Sequence, residues 1–406
     1  MFSIMVDILK IKGEKNMNFK KVFSAIAVAS MLVACGSGGT NSTKNEAFKI
    51  GLSGPLTGDA AVYGKAVKNA AELAVAEVNQ KGGIQLELKM EDDQADPEKS
   101  PTAYGTLKDW GMQIGLATVT SGAGAAVSQN YADDETFAIT PSASSTTIVY
   151  KDADNTKSFG YVYQMCFTDP NQGIASADYI KKHTDLGTKV AIIYKSDDNY
   201  STGIYQKFIS EAKNVGLEVV SEQSFDNSSA TDFNVQLKDA QAKGADIVYL
   251  PIYYQPASLI LTQANKMGYA PTFFGVDGMD GILTLEGFDT KLAEGVYLLT
   301  PFSADATDDL TANFVKNYKE KYKETPNQFA ADAYDCIYAI YTALTEGKAT
   351  PDMSNSEIAD ILIKQFTSMT FNGVTGTDVT WDKTGEVSKA PKAVVIKDGV
   401  YVGVED

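Results

Sequence analysis

The chain has 406 residues, of which 44% are hydrophobic and 21% charged, figures typical of a soluble globular protein with room for two α/β lobes. The formal net charge is −17, and all 35 basic residues are lysine, because the sequence contains no arginine. These counts exclude a basic nucleic-acid-binding face and a guanidinium clamp for a carboxylate or phosphate. An anionic ligand group must instead be held by lysine, hydroxyls, backbone N–H groups or a helix N-terminus.

Residues 1–34 are predicted to be a signal peptide. Met17 to Lys21 is a basic start, and Val22 to Ala34 is an apolar stretch too short to span a bilayer comfortably. The small residues before Cys35 and the glycine- and serine-rich run after it resemble a bacterial lipoprotein cleavage site, which implies that Cys35 is lipidated. An ordinary signal peptide with a chance cysteine is the alternative. Residues 35–47 are then a lipidated cysteine and a flexible tether.

The mature chain is expected to differ from the full sequence at its start and in its charge. Residues 1–16 fit no signal pattern, so we hypothesise that translation begins at Met17. Loss of residues 1–34 changes the net charge from −17 to −20. With Cys35 lipidated, Cys166 and Cys336 remain, and two free thiols are favoured over a long-range disulfide.

From residue 48 onward, short strands alternate with helices. The predicted strands are 48–53, 84–90, 114–120, 137–140, 161–167, 189–194, 217–221, 245–250, 272–276 and 295–300. The predicted helices are 62–81, 98–111, 124–135, 172–184, 202–215, 232–243, 256–267, 310–323 and 330–344. This alternation predicts an α/β fold with doubly wound parallel sheets. A helix–glycine–strand module at 74–90 recurs at 209–225, which indicates two similar lobes, and residues 378–402 are predicted to form short antiparallel strands.

The usual catalytic and cofactor motifs are absent from the sequence. It contains no Gly-x-Gly-x-x-Gly after a strand, no phosphate loop ending in Gly-Lys-Ser/Thr and no Gly-x-Ser-x-Gly. His183 is the only histidine, and it lies at a predicted helix end, where a solvated role is favoured. The acidic runs 91–97 and 152–155 lack the turn glycine of a calcium loop and are predicted to be solvated. We therefore expect neither enzymatic activity nor a metal or cofactor.

Polar segments follow several predicted strands, where open α/β sheets place their ligand sites. Residues 118–125 and 140–146 each combine a strand end with hydroxyl groups, and the first also begins a helix. Such groups hold a carboxylate in a protein that lacks arginine, although two polar turns are the alternative. Asp277 follows another strand between two glycines, where it either binds an ammonium group or stabilises a turn. Tyr200 and Tyr253 also follow strands.

The sequence resembles the type I periplasmic-binding-fold family of bacterial solute-binding lipoproteins, specifically the leucine/isoleucine/valine-binding type of ABC transporters. The resemblance extends from about Phe48 to Val402. The motifs that carry it are Ile50–Gly58 followed by Tyr63-Gly64, Asn79–Ile84 followed by Asp92-Asp93, Phe329–Asp335, and Phe371–Gly376. It implies two lobes, joined by a three-segment hinge, that close over a ligand. The expected lobes are 48–167 with 299–372, and 168–298 with 373–406.

In the first lobe, the resemblance implies a site for the α-carboxylate of an amino acid. Hydroxyls and backbone N–H groups of Ser121, Ser142 and Ser144 match the binding residues of the family, and Ala123 lies in the same turn. The family usually has a threonine where this chain has Ser144. The first-lobe disulfide of the branched-chain prototype has no counterpart here, because other residues occupy both positions.

In the second lobe, the resemblance implies contacts from Tyr200 and Tyr253 and an acid for the α-ammonium at Asp277. The branched-chain prototype has the longer glutamate at that position. Tyr63 matches a tyrosine of the ligand-binding wall, and Asp169 lies near a hinge-side acid. Bulky neighbours of Tyr253 make leucine, isoleucine or valine a best guess for the ligand.

The function predicted from the sequence is an extracytoplasmic receptor of an ABC importer. We expect a monomer, lipid-anchored to the outer face of the cytoplasmic membrane, that delivers an amino acid to permease and ATPase subunits and binds no nucleic acid. A ligand-sensing subunit of a membrane receptor is one alternative, and a receptor for an amide, urea or short peptide is another. An amidase or other hydrolase is the third, and it would have to depend on His183.

Overall fold

The computed structural model describes residues 46–404. The predicted signal peptide, Cys35 and the tether up to Asn45 lie outside the described residues. The strands are β1 Phe48–Gly54, β2 Leu86–Asp92, β3 Ile114–Leu116, β4 Ala138–Thr140, β5 Val162–Gln164, β6 Lys189–Lys195, β7 Glu218–Phe225, β8 Ile247–Leu250, β9 Thr272–Gly275, β10 Tyr297–Thr300, β11 Phe371–Gly373, β12 Gly376–Val379, β13 Lys392–Lys397 and β14 Val400–Gly403. The helices are α1 Ala61–Gln80, α2 Ser100–Trp110, α3 Ser121–Asp133, α4 Asp169–Lys182, α5 Asn199–Val215, α6 Asn234–Ala242, α7 Tyr254–Met267, α8 Asp309–Tyr322, α9 Gln328–Gly347 and α10 Asn355–Phe366.

The first five strands form one parallel sheet in the order β2-β1-β3-β4-β5. Phe48, Ile50 and Leu52 of the inner strand β1 share one face of the sheet and are fully buried. Gly64 lets α1 approach the loop after β1, because a Cβ at this position would collide with the carbonyl oxygen of Pro55. This close approach positions Tyr63, one residue earlier, at the carboxyl edge of the sheet.

The second sheet has seven strands in the order β14-β13-β10-β9-β8-β6-β7. Strands β6 to β10 are parallel, whereas β13 and β14 pair antiparallel at one edge. The turn between β13 and β14 contains Asp398 and Gly399, both with positive φ (52° and 73°). The predicted α/β class with parallel sheets and the antiparallel tail are therefore confirmed.

The chain passes between the two sheets three times, at residues 165–168, 301–308 and 380–391, which we call the crossing segments. Helices α8 to α10 return to the first sheet, where Tyr334 and Tyr338 of α9 donate hydrogen bonds to Glu77 of α1 (2.6 and 2.8 Å). We call β1–β5 with α1–α3 and α8–α10 the first lobe, and β6–β10, β13 and β14 with α4–α7 the second lobe. The second crossing begins after Thr300 and the third after Val379. The lobe boundaries 48–167 with 299–372 and 168–298 with 373–406 stay a prediction.

Several helices begin earlier than the sequence predicts. Helix α3 begins at Ser121 rather than at 124, and α4 begins at Asp169 rather than at 172. Small and polar residues favour turns by propensity. In the structure, Thr120 and Thr168 are extended N-cap residues without a side-chain cap hydrogen bond, and four residues lie between the end of each strand and the start of its helix. These early starts place candidate site residues in the first turns of helices.

Helix α10 is not predicted from the sequence, although a capping box of Ser354 and Glu357 begins it. Cys166 and Cys336 are both buried free thiols, as predicted. Within residues 46–404, no helix is long and apolar enough to cross a membrane.

Candidate functional site

The predicted site residues lie at the carboxyl edges of both sheets, where the two lobes face each other. Ser121 begins α3, Asp169 begins α4, and Tyr200 lies in the first turn of α5. Tyr253 is the N-cap of α7, and Asp277 directly follows β9 and Val276. Parallel strands bring these positions together because all of their carboxyl ends lie at one edge of a sheet.

Four buried residues form the first-lobe side of this cleft. The Ser121 hydroxyl accepts a hydrogen bond from the Ser145 backbone N–H (3.2 Å), and the Ala123 carbonyl accepts one from the Ser100 hydroxyl (2.9 Å). The Ser142 hydroxyl donates to the Val119 carbonyl (2.7 Å), so its proton is already used within the lobe. The Ser144 hydroxyl has no such partner within the described residues and lies beside Asp169, whose pKa it lowers.

On the second-lobe side, Asp277 is 3% exposed and has neutral donors around it. The Tyr200 hydroxyl donates to its carboxylate (2.6 Å), and the Gly278 backbone N–H donates to the same hydroxyl oxygen (2.8 Å). Burial raises the pKa of Asp277 to about 7, an effect that the hydrogen bonds from Tyr200, Gln328 and Gln172 only partly offset. An ammonium group beside this carboxylate would favour its ionised form.

Aromatic side chains from both lobes close the cleft. The Tyr63 ring lies 5.5 Å from that of Tyr253, 4.9 Å from that of Tyr254 and 4.3 Å from that of Phe329, measured between ring centroids. The Tyr63 hydroxyl donates to the Gly278 carbonyl across the cleft. In the opposite direction, the Tyr254 hydroxyl donates to the Asp59 carbonyl (2.5 Å). The structure therefore shows the two lobes in contact across the cleft.

Several buried polar atoms in this region have no hydrogen-bond partner among the described residues. They include the Thr120 hydroxyl, the Ser144 hydroxyl and both carboxylate oxygens of Asp169. Buried polar groups in native proteins are normally hydrogen-bonded, and an unpaired one is costly. Ser144 and Ser145 lie beside Asp169 and lower its pKa, which burial raises well above the ordinary value.

Sequence reasoning missed Gln328, the first residue of α9. Its side-chain oxygen accepts from the Thr300 hydroxyl (3.1 Å), and its backbone N–H donates to Asp280 (2.9 Å). With its oxygen held by Thr300, the amide nitrogen is left to donate to Asp277, whose pKa it lowers. The family-like motif Phe329–Asp335 begins one residue after Gln328. The only sequence signal for a contact with Asp277 was that Gln328 lies next to the predicted start of a helix.

Thr120, Tyr254 and Phe329 were also absent from the predicted site residues. Thr120 is the N-cap of α3, a position that exposes backbone N–H groups to an anion. Tyr254 and Phe329 come from opposite lobes and meet only through the ring of Tyr63. Their sequence positions show a helix start, but not the partner across the cleft.

A second group of buried charges lies beside the third crossing segment. The Lys389 ammonium contacts Asp332 of α9 (2.7 Å) and the Thr375 hydroxyl (2.6 Å), and both charged side chains are 1% exposed. Asp335 of α9 accepts from the backbone N–H groups of Val374 and Thr375 (both 2.9 Å). We call Lys389, Asp332, Asp335 and Thr375 the hinge cluster, since it joins α9 to the third crossing segment and to the turn before it.

A cavity of about 350 Å³ lies outside the cleft, between the first and third crossing segments. Its lining includes Asn171, Trp381 and Glu386, and none of the serines of the first-lobe face. The Glu386 carboxylate accepts from the Tyr150 hydroxyl (2.9 Å), and the Trp381 indole donates to the Gln164 carbonyl (2.7 Å). The Glu386 and Trp381 side chains are thus both engaged within the protein.

The sequence of this chain is similar to those of known binding proteins. The family profile described as periplasmic binding protein matches residues 47–399. The Leu/Ile/Val-binding protein homolog 3 of Brucella melitensis is 25% identical over 95% of this chain and 99% of its own length. A leucine-, isoleucine-, valine-, threonine- and alanine-binding protein of Pseudomonas aeruginosa is 24% identical over 84% of this chain and 87% of its own.

Solved structures agree with this placement. The branched-chain amino acid transporter substrate-binding protein LivJ of Streptococcus pneumoniae, in complex with isoleucine, has a TM-score of 0.76 and 26% identity over 88% of this chain and 100% of its own. A solute-binding protein of an ABC transporter from R. palustris, in complex with benzoate, has a TM-score of 0.75 and 19% identity over 88% of this chain and 96% of its own. The same fold thus holds ligands with and without an amine.

Proposed function

Because this chain belongs to the periplasmic binding protein family, we propose that it is the substrate-binding component of an ABC importer and captures an aliphatic amino acid, with a branched-chain amino acid as the best candidate. The observation that carries this proposal is the pairing of two opposite faces across one buried cleft. On one face, Ser144 and the start of α3 offer donors; on the other, Asp277 offers a carboxylate. The two faces match the carboxylate and the ammonium of a zwitterion.

The first-lobe face suits the α-carboxylate for two reasons. The first backbone N–H groups of a helix have no acceptor within the helix, and its dipole favours an anion there. In α3, the first such residues are Ser121, Gly122 and Ala123, and Thr120 adds an unpartnered hydroxyl. Ser144 supplies another hydroxyl from the loop after β4. This arrangement needs no arginine, which the sequence lacks.

The second-lobe face and the aromatic side chains suit the rest of the ligand. Tyr200 and Gln328 hold the Asp277 carboxylate in place while leaving it to bind an ammonium group. The rings of Tyr63, Tyr253 and Phe329 offer apolar surface for an aliphatic side chain. Ligand contacts with both lobes stabilise the closed arrangement over an open one.

The remaining parts of the proposal concern delivery. We propose that Cys35 is lipidated and anchors the protein outside the cytoplasmic membrane, and that the closed, loaded form docks on a permease driven by ATPase subunits. The signal-peptide pattern and the tether composition before residue 48 support the anchor. The proteins to which this chain is similar, whose names assign them to transporters, support the permease partner.

A thermal-shift screen tests the ligand class directly. The soluble form starting at residue 36 is heated with each standard amino acid, and with amides, urea and short peptides in parallel wells. A ligand that binds only the folded protein raises its melting temperature by mass action. We expect leucine, isoleucine or valine to give the largest shift. A shift with urea, amides or peptides alone would overturn the assignment.

A further inference from the structure

We infer that Gln164, the last residue of β5, is a positioning residue for ligand binding. Its side chain holds residues 141–145, which we call the carboxylate loop, and its backbone joins that loop to the third crossing segment. This inference rests on the proposed amino-acid-binding function and assigns a role in it to a residue outside the predicted ligand contacts.

The amide side chain of Gln164 holds the carboxylate loop from the neighbouring strand. Gln164 is fully buried, and its side-chain nitrogen donates to the carbonyl oxygens of Ala143 (2.9 Å) and Ser145 (3.1 Å). These two carbonyls flank Ser144, whose own carbonyl accepts from the Asp169 backbone N–H (3.0 Å). Three consecutive carbonyls of the carboxylate loop are therefore held by donors outside it.

Holding these carbonyls also sets the direction of the N–H groups of the loop. A trans peptide group is planar, so its C=O and N–H point in opposite directions. The Ala143 carbonyl and the Ser144 N–H belong to one such group, so the bond from Gln164 also directs this N–H. On the other side of Ser144, the Ser145 N–H donates to the Ser121 hydroxyl at the start of α3 (3.2 Å). Gln164 thus orients the donors of the loop relative to α3, the other part of the proposed carboxylate site.

Filling the core does not account for a glutamine at this position. Val162 lies two residues earlier on the same face of β5 and packs in an apolar cluster that includes Ala143. The side-chain oxygen of Gln164 has no hydrogen-bond partner within residues 46–404. Burying an amide with one unpaired atom costs stability that an apolar side chain would not cost. The two hydrogen bonds that its nitrogen donates are what an apolar side chain could not supply.

The backbone of Gln164 connects the loop to the hinge. Its N–H donates to the Gly385 carbonyl (2.9 Å), and its carbonyl accepts from the Trp381 indole (2.7 Å). Gly385 has a positive φ (96°), and a Cβ there would lie 2.3 Å from the Val162 carbonyl oxygen, so the third crossing segment lies directly on β5. Gln164 also immediately precedes the first crossing segment. One residue therefore joins the carboxylate loop to two of the three crossing segments.

This connection gives the first lobe a carboxylate site that keeps its shape without the ligand. A preorganised site loses less conformational entropy on binding than one that the ligand has to order. Without the two donors of Gln164, the loop would still contain Ser144 but would sample other orientations. Part of the binding free energy of leucine would then be needed to order the loop.

A double-variant cycle, measured by isothermal titration with leucine, tests the inference. Gln164→Met removes both donors at a similar side-chain length, and Ser144→Ala removes a hydroxyl that the loop presents. We expect Gln164→Met to weaken leucine binding by roughly tenfold. In the Ser144→Ala background the same change should weaken binding by only about threefold, because part of what Gln164 positions is already gone.

Gln164→Glu gives an intermediate case at the same side-chain length. Complete burial favours the protonated form of the glutamate, which donates one hydrogen bond instead of two. Leucine affinity at about pH 6 should therefore lie between those of the wild type and Gln164→Met. An affinity below that of Gln164→Met would contradict a role for the donors.

Gln113→Met is the matched control for a loss of stability in the first lobe. The Gln113 side chain also binds two backbone groups, since it donates to the Pro351 carbonyl (2.8 Å) and accepts from the Lys49 N–H (3.1 Å). Gln113 precedes β3, at the amino edge of the sheet and away from the cleft. Gln113→Met should lower the melting temperature, as Gln164→Met does, but keep leucine affinity within about twofold of the wild type.

The outcomes separate this inference from the proposed function. Wild-type leucine affinity in Gln164→Met, or the same fold loss in both backgrounds of the cycle, overturns the inference and leaves the proposed function standing. An affinity loss in Gln113→Met as large as in Gln164→Met overturns it as well, because lower stability would then explain both. If the wild-type protein binds no amino acid, the proposed function is wrong and the inference is wrong with it.

Discussion

The hinge cluster and the cleft each bury two acidic side chains, and they differ in what those acids contact. In the hinge cluster, Asp332 meets the Lys389 ammonium and Asp335 accepts from two backbone N–H groups. In the cleft, Asp277 accepts from the Tyr200 hydroxyl, and Asp169 has only the neighbouring hydroxyls of Ser144 and Ser145 to favour its charge. Burial alone thus does not distinguish acids with a structural role from acids that bind a ligand. The partner of the acid distinguishes them, because a buried carboxylate without a charged protein partner is stable only when a ligand or a proton neutralises it.

Removing the cation of the hinge cluster should have the largest effect. Lys389→Met leaves Asp332 as an uncompensated buried charge, which we expect to destabilise the protein by about 3–5 kcal/mol. Urea denaturation followed by circular dichroism measures the loss. The double variant Lys389→Met with Asp332→Asn should recover much of it, because no unpaired charge then remains. A single variant as stable as the wild type would show that the hinge cluster is not structural.

The opposite outcome is expected in the cleft. Asp277→Ala should abolish amino-acid binding, at a cost on the order of 2–5 kcal/mol, because the ammonium loses a desolvated partner. The empty protein should keep or gain thermal stability, since the native fold carries this carboxyl group in an environment that opposes its charge. Isothermal titration with leucine checks the prediction, and near-wild-type affinity would refute the role of Asp277.

Two buried serines, Ser144 in the cleft and Ser128 within α3, should also differ in whether they affect ligand affinity or stability, but by smaller amounts. Ser144→Ala should weaken leucine binding by about 1–3 kcal/mol and leave the stability of the empty protein unchanged or higher, because the Ser144 hydroxyl has no protein partner. Ser128→Ala should do the reverse: its hydroxyl donates to the Gly124 carbonyl (3.0 Å) within α3, so the variant loses stability but not affinity. Equal effects of the two variants on affinity would argue against a ligand contact at Ser144.

The smallest expected effect is the change of leucine affinity with pH. The charged or hydrogen-bonding groups that act most strongly on Asp277 are Tyr200, Asp332, Gln328 and Gln172, and burial holds its pKa at about 7. Below that pH the empty site carries a proton that an ammonium ligand must displace. Affinity for leucine should therefore rise by about tenfold from about pH 6 to about pH 8 and then level off.

The stability of the empty protein should follow the opposite trend. A folded-state pKa of about 7, above the ordinary aspartate value, means that the contribution of Asp277 is fully present at low pH and is lost as the pH rises through 7. Thermal denaturation of the empty protein across this range checks the sign. Asp93→Asn is a control, because burial raises the pKa of Asp93 to about 6 at a site held by Ser53 rather than by the cleft. Its leucine affinity should keep the wild-type pH profile.

Much of the fold and part of the site could be predicted because they depend on short-range pattern. The alternation of strands and helices, the antiparallel tail and the free thiols of Cys166 and Cys336 are all confirmed. The starts of α3 and α4 were placed too late, because serine, glycine and aspartate favour turns in isolation and only the N-caps and the sheet make them helical. Helix α10 was missed although its capping box is visible in the sequence.

The sequence by itself determined the α/β architecture, the absence of arginine and the clustering of hydroxyl groups and acids at strand ends. Only the tertiary structure decided which of those polar groups are already engaged. Ser142 and Ser144 look alike in the sequence, yet one hydroxyl bonds Val119 and the other bonds nothing within the described residues. The physical reason is that a hydrogen-bond partner comes from whichever element the fold brings near. Gln328 meets Asp277 only because α9 returns to the first lobe and begins beside the turn after β9.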